Sequence, residues 1–142
     1  MTTDAKTPTL SSLRLDRFLA ALEAQGVPKS GDYAFRCVRC DTVQSMRSFV
    51  RAGATPDTAE AQIGFSCVGR FTDAGPWDPN DAARAKVPGC DWTIGGLFGS
   101  LGRGVVVIRD GREHPRFYLA TPAEAQKLAA QGGEPFRPEG GA

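Results

Sequence analysis

Chemistry in this chain is concentrated in four cysteines. Cys37-Val38-Arg39-Cys40 is a C-x2-C knuckle, followed after 26 residues by Cys67 and after 22 more by Cys90. Four thiolates are the set that a closed structural zinc site uses. A two-residue spacer lets both thiolates of one turn face the same ion while nearby amides hydrogen-bond to the sulfurs. No second C-x2-C follows, so the fold itself must bring Cys67 and Cys90 together. The reading is one structural zinc ion held by Cys37, Cys40, Cys67 and Cys90. Two other uses of the thiols compete with it. Buried, unligated cysteines pack as small hydrophobes, and a C-x2-C at a helix start can act as a redox dithiol. The redox use needs a helix directly after the motif, for which Asp41-Thr42-Val43-Gln44 is a poor beginning. His114, the only histidine, can replace a cysteine as ligand, but its place before Pro115 on a hairpin arm favours a surface position.

Little else supports catalysis. A Cys/His nucleophile pair would need one ligand set free and a third group to orient the base, and four thiolates close the position that a catalytic zinc keeps open. Gly95, Gly96, Gly99, Gly102 and Gly104 form neither G-x-x-x-x-G-K-[ST] nor G-x-G-x-x-G. The chain therefore reads as non-enzymatic. Every cation between Asp32 and Phe71 is an arginine, and Arg36, Arg39 and Arg70 lie within three residues of a cysteine. A guanidinium fork engages phosphate or carboxylate bidentately, which makes these three the candidate partner-binding residues. Tyr33, Phe35, Phe65 and Phe71 are either stacking faces for nucleic acid or core, the latter fitting their alternation.

The elements that must position these groups read as follows. Leu15, Phe18, Leu19 and Leu22 recur at helical spacing between Ser12, a candidate cap, and Gly26. Tyr33, Phe35 and Cys37 alternate as a strand entering the knuckle, and Ile63 to Cys67 and Cys90 to Ile94 alternate likewise. Ser45 caps a helix to Ala52 that buries Met46, Phe49 and Val50 and stops at Gly53, while Thr55-Pro56 and Thr121-Pro122 open two more, the second with a capping box to Glu124 and an end near Gly132. Val105 to Ile108 and Phe117 to Leu119 flank Asp110-Gly111, a type I′ hairpin turn, with Pro115 shortening the pairing. Thr72 to Gly89 has no periodicity and reads as a long surface loop.

These elements add up to an α+β fold, a small antiparallel sheet with three to four short helices stapled by the zinc-ribbon-like site. The 142 residues, 41% hydrophobic and 23% charged, suit a single domain over residues 11–133 between flexible tails at 1–10 and 134–142. No apolar run approaches the roughly 20 residues of a membrane helix, and MTTDAKTPTLSS lacks the pattern of a secretory signal. The expected compartment is the cytoplasm, where cysteines stay reduced or bind metal. A net charge of +1 does not mark the chain as a nucleic-acid binder.

Several strings, FRCVRC from Phe35, IGFSCVGRF from Ile63, DWTIGGLF from Asp91 and HPRFYLATPAEAQ from His114, resemble a family of small cysteine-containing proteins encoded by bacteriophages and prophages. The likeness runs from about Tyr33 to Gln126. It implies that all four cysteines serve one site and that the chain is an accessory protein acting in a bacterial host, on host machinery or host defence, and it implies no reaction. Two functions are expected: binding of a host protein complex, or, as the alternative, binding of nucleic acid through the arginines around the knuckle.

Overall fold

A computed structural model describes residues 11–94 and 103–138. The expected tail at 1–10, the last four residues and the glycines at 95, 96, 99 and 102 lie outside the described residues.

The fold is α+β. In place of one antiparallel sheet, the described residues form two three-stranded sheets and five α-helices. The first sheet has the order β1-β4-β5, from β1 (Ser11–Arg14), β4 (Val105–Arg109) and β5 (Arg112–Arg116). β1 runs parallel to β4, with Ser11 opposite Val105 and Arg14 opposite Ile108. Ser12 is therefore a strand residue and not a helix cap. The helix begins beyond it as α1 (Leu15–Glu23), whose N-cap Arg14 is extended and makes no side-chain cap bond. Partners from β4 override the local capping signal here. α1 buries Leu22 and leaves Leu19 half exposed, so its apolar face is narrower than the spacing suggested.

β4 and β5 form the hairpin around Asp110-Gly111, both with positive φ as a type I′ turn requires. Its second arm is Arg112–Arg116 rather than Phe117–Leu119. Pro115 sits opposite Val106 on an edge strand, where its missing N–H costs no ladder bond. The chain then crosses to the other sheet, with Phe117 fully buried. That second sheet has the order β3-β2-β6, all antiparallel, from β2 (Ala34–Arg36), β3 (Val43–Ser45) and β6 (Tyr118–Leu119).

Three helices start as their caps dictate. α2 (Met46–Arg51) has Ser45 and Ser48 in a reciprocal capping box. α3 (Pro56–Gln62) has Thr55 accepting from the Thr58 amide, and α5 (Pro122–Ala130) has the Thr121–Glu124 box. On α2, Phe49 is buried but Val50 is exposed. Ile63–Phe65 is a turn and not a strand; only Ser66 makes a bridge, to Thr93. The loop from Thr72 to Gly89 contains a one-turn helix, α4 (Ala82–Ala85), capped by Asp81. Residues 134–138 are no free tail: Phe136 bridges to Val43, and Arg137 reaches the knuckle. Leu22, Phe35, Val38, Ile94, Phe117 and all four cysteines make up the largest buried cluster.

Candidate metal centre

The knuckle is the loop of the β2–β3 hairpin. β2 ends at Arg36, the Cys37 amide donates to Thr42 O at 3.1 Å, and the Asp41 amide donates back to Cys37 O at 3.0 Å. Closing so tight a loop puts Asp41 at φ +64, a conformation that aspartate tolerates better than most side chains. The Asp41 carboxylate is nearly buried between Arg36 and Arg103, each 3.5 Å away. Burial raises its pKa, and the two cations oppose that rise.

Cys67 and Cys90 meet through two glycines. Cys67 is anchored by its amide, which donates a hydrogen bond to Trp92 O at 2.9 Å, and a 3-10 turn follows it over Val68–Phe71. Inside that turn Gly69 lies flat against the chain at Cys90: a Cβ there would sit 2.2 Å from the Cys90 nitrogen. Gly89, at φ +93, would in turn push a Cβ to 2.8 Å from the Gly69 Cα. No side chain fits on either side of this contact.

All four cysteines are free thiols, fully buried, and their sulfurs lie within 4.8 Å of one another. Cys37 and Cys90 are 3.8 Å apart and Cys40 and Cys67 3.7 Å, far beyond the S–S bond of a disulfide. The Arg39 amide donates to Cys37 Sγ at 3.3 Å and the Cys90 amide to Cys67 Sγ at 3.2 Å. Such N–H···S bonds favour the thiolate form that a metal requires.

Two polar residues complete the surroundings. Gln44 Nε2 donates to Cys67 Sγ at 3.4 Å and to Thr42 O at 3.1 Å, while its Oε1 accepts the Val68 amide at 2.7 Å. Thr42 Oγ1 accepts the Gly89 amide at 2.7 Å and lies 3.1 Å from Cys40 Sγ. With that amide bound, the hydroxyl proton is free to turn to a Cys40 thiolate. Burial, and after it hydrogen bonds with Cys40, Cys67 and Cys90, push the Cys37 thiol well up. Hydrogen bonds with Cys37, Cys40 and Cys90 hold Cys67 well below the usual thiol range. Four adjacent buried thiolates would repel one another and call for a cation among them. The donor set fits a thiophilic metal ion.

The three arginines separate. Arg36 is half-buried, paired with Asp41 and stacked 5.1 Å over Tyr118. Arg39 is exposed, 5.6 Å over the Trp92 ring, and Arg70 is exposed, donating to Thr93 Oγ1 at 2.7 Å. Arg39 and Arg70 therefore flank the same Asp91–Thr93 segment, and Arg36 points elsewhere. Val38, the neighbour of Arg39 in the knuckle, is fully buried, 3.0 Å from where a Cβ on Gly104 would stand. Tyr33, Phe35, Phe65 and Phe71 all pack against the buried clusters, in keeping with a core role. His114 lies opposite Val107 on β5 and is outside the cysteine cluster.

Fold and site together define a small α+β protein with a buried four-cysteine centre able to hold a metal ion. Residues 14–120, which include all four cysteines, match the model of the VVA0879-like family, and the chain belongs to that family. No curated protein and no solved structure matches it. No helix among the described residues is long and apolar enough to cross a membrane.

Proposed function

We propose that the protein is a non-enzymatic, zinc-stapled binding module that docks on an acidic surface of a protein complex. The clustering of four buried sulfurs within 4.8 Å of one another supports a four-thiolate site, the set that structural zinc favours. A tetrahedral site with Zn–S of about 2.3 Å has edges of about 3.8 Å, against the 3.8 and 3.7 Å between opposite cysteines. Zinc would supply the charge that lets four buried thiolates coexist and would cross-link the hairpin loop to Cys67 and Cys90. Complete burial and four protein ligands leave no position for substrate, which supports a structural role.

The docking reading rests on Arg39 and Arg70 beside Asp91–Thr93, held on a frame that the metal would make rigid. A cytoplasmic bacterial host as the partner's source rests on the resemblance to phage and prophage proteins alone. Nucleic acid is the second reading, favoured by Arg39 stacked on Trp92 at the surface. Near-neutral net charge favours protein.

Two measurements test this. Elemental analysis of the purified protein should give one zinc per chain. Pull-down from bacterial lysate should recover a partner that resists nuclease and is only modestly salt-sensitive, whereas phosphate contacts would weaken steeply with salt. Arg39→Glu should keep fold and zinc but lose the partner. A folded variant that binds normally removes the knuckle from the interface.

A further inference from the structure

The hairpin carries cations that the metal centre does not use. Residues alternating along a strand share a face, and directly paired residues face the same side. The β4–β5 register therefore puts Val105, Val107 and Arg109 on one face with Arg116, His114 and Arg112. Against that face lies α1, and between them is a cavity of about 200 Å³ lined by Leu15, Phe18, Val107, Arg109, His114 and Arg116. Its lining contains no carboxylate.

A second cavity, of about 340 Å³, shares Phe18 and Arg116 with the first. Its remaining wall is mainly apolar, with Leu22, Phe35, Met46 and Ile63; Ser30, Tyr33 and the exposed Glu60 complete it. The Phe18 and Phe35 rings stand 6.1 Å apart within it. Arg116 is the hinge between the two spaces. It is half-buried, stacked 5.5 Å over Phe65, and donates through Nη1 to Pro115 O at 2.7 Å. Among the described residues no carboxylate lies within 4.0 Å of Arg116 or His114. A half-buried guanidinium with most of its fork unclaimed by acid, at the mouth of an apolar cavity, is arranged for an anion that brings its own apolar body.

We propose that this two-part cleft binds a small amphipathic carboxylate, with its apolar chain or ring in the larger cavity and its carboxylate on Arg116, beside Arg109 and His114. A bare anion would leave the larger cavity unfilled, and a neutral apolar ligand would leave Arg116 unpaired. The site is separate from the four cysteines, and the inference is independent of what docks beside Arg39.

Titration of the full-length, metal-loaded protein with octanoate, octanol and inorganic phosphate, followed by amide chemical shifts, tests it. Octanoate should bind with a dissociation constant below about 1 mM, and octanol and phosphate each about tenfold or more weaker. Shifts should centre on α1 and β5. Arg116→Gln should reduce octanoate to the level of octanol, and the more exposed Arg109→Gln should weaken octanoate without affecting octanol. Equal binding of octanol and octanoate overturns the proposal, as does phosphate binding as tightly as octanoate. So does an absence of shifts in the wild type, a result that does not depend on any variant folding.

Discussion

At the scale of single residues, the cysteines could be read from the sequence because the C-x2-C spacing and the total of four mark a ligand set, while the groups around them could not. Nothing in the string marks Gln44 as the donor to Cys67, since glutamine is ordinarily a surface residue. Its role comes from being fully buried on β3 with every polar atom engaged. Gln44→Ala leaves the Val68 amide without its acceptor, and an unsatisfied buried group costs about 1–3 kcal/mol. Urea denaturation of the metal-loaded protein should show a loss of that size. Gly69 is sharper still. A methyl group there meets backbone at 2.2 Å, which no rotamer relieves. Gly69→Ala should cost about 3 kcal/mol or more, beyond ordinary overpacking, and should lower zinc retention, because the displaced segment carries Cys90. The glycines beside the cysteines, Cys67-Val68-Gly69 and Gly89-Cys90, were the available signal that the segments of these two cysteines approach backbone to backbone.

At the scale of elements, those with a strong local cap were legible and those defined by a distant partner were not. Ser45, Thr55 and Thr121 each begin a helix where capping chemistry places it. β1 has no such marker, because Ser11–Arg14 becomes a strand only by pairing with Val105–Ile108, some ninety residues on. EPFRPEGGA misled for a similar reason. Its proline and glycine content suggested a tail, yet Arg137 Nε donates to Cys40 O at 2.9 Å, Nη1 donates to Ala85 O at 2.7 Å, and the guanidinium lies 4.2 Å over Trp77. One side chain thus ties the knuckle to the one-turn helix α4 and its loop. Hydrogen bonds from charged groups contribute about 1.5–3 kcal/mol, so Arg137→Ala should destabilise by about that much. It should also speed amide hydrogen exchange selectively around residues 76–89, where Arg84 would remain as the other tie, to Gly75, Pro76 and Gly89. Uniform exchange across the chain would show that the C-terminal segment does not hold the loop.

For the molecule as a whole, the placement of the four cysteines decides how far loss of a bound ion would reach. The cysteines are in the largest buried cluster, together with Leu22 of α1, Phe35 of β2 and Phe117 at the crossover between the sheets. The other two clusters are small and together hold few large side chains, chiefly Leu128 and Phe49. A domain of this size has a net stability of about 5–15 kcal/mol, and structural zinc contributes apparent folding free energy on the order of 10 kcal/mol. The second figure is comparable with the first, so removal of the ion should unfold the chain rather than loosen one loop. Chelation at neutral pH should abolish the cooperative thermal transition and the near-ultraviolet circular dichroism of Trp77 and Trp92, and stoichiometric zinc should restore both. Cys37→Ser and Cys90→Ser should reproduce the chelated state without chelator, one on each half of the site. If the chelated protein still melts cooperatively at an unchanged temperature, the four thiols are a hydrophobic cluster that holds the fold without an ion. In that event the short S···S distances reflect packing alone.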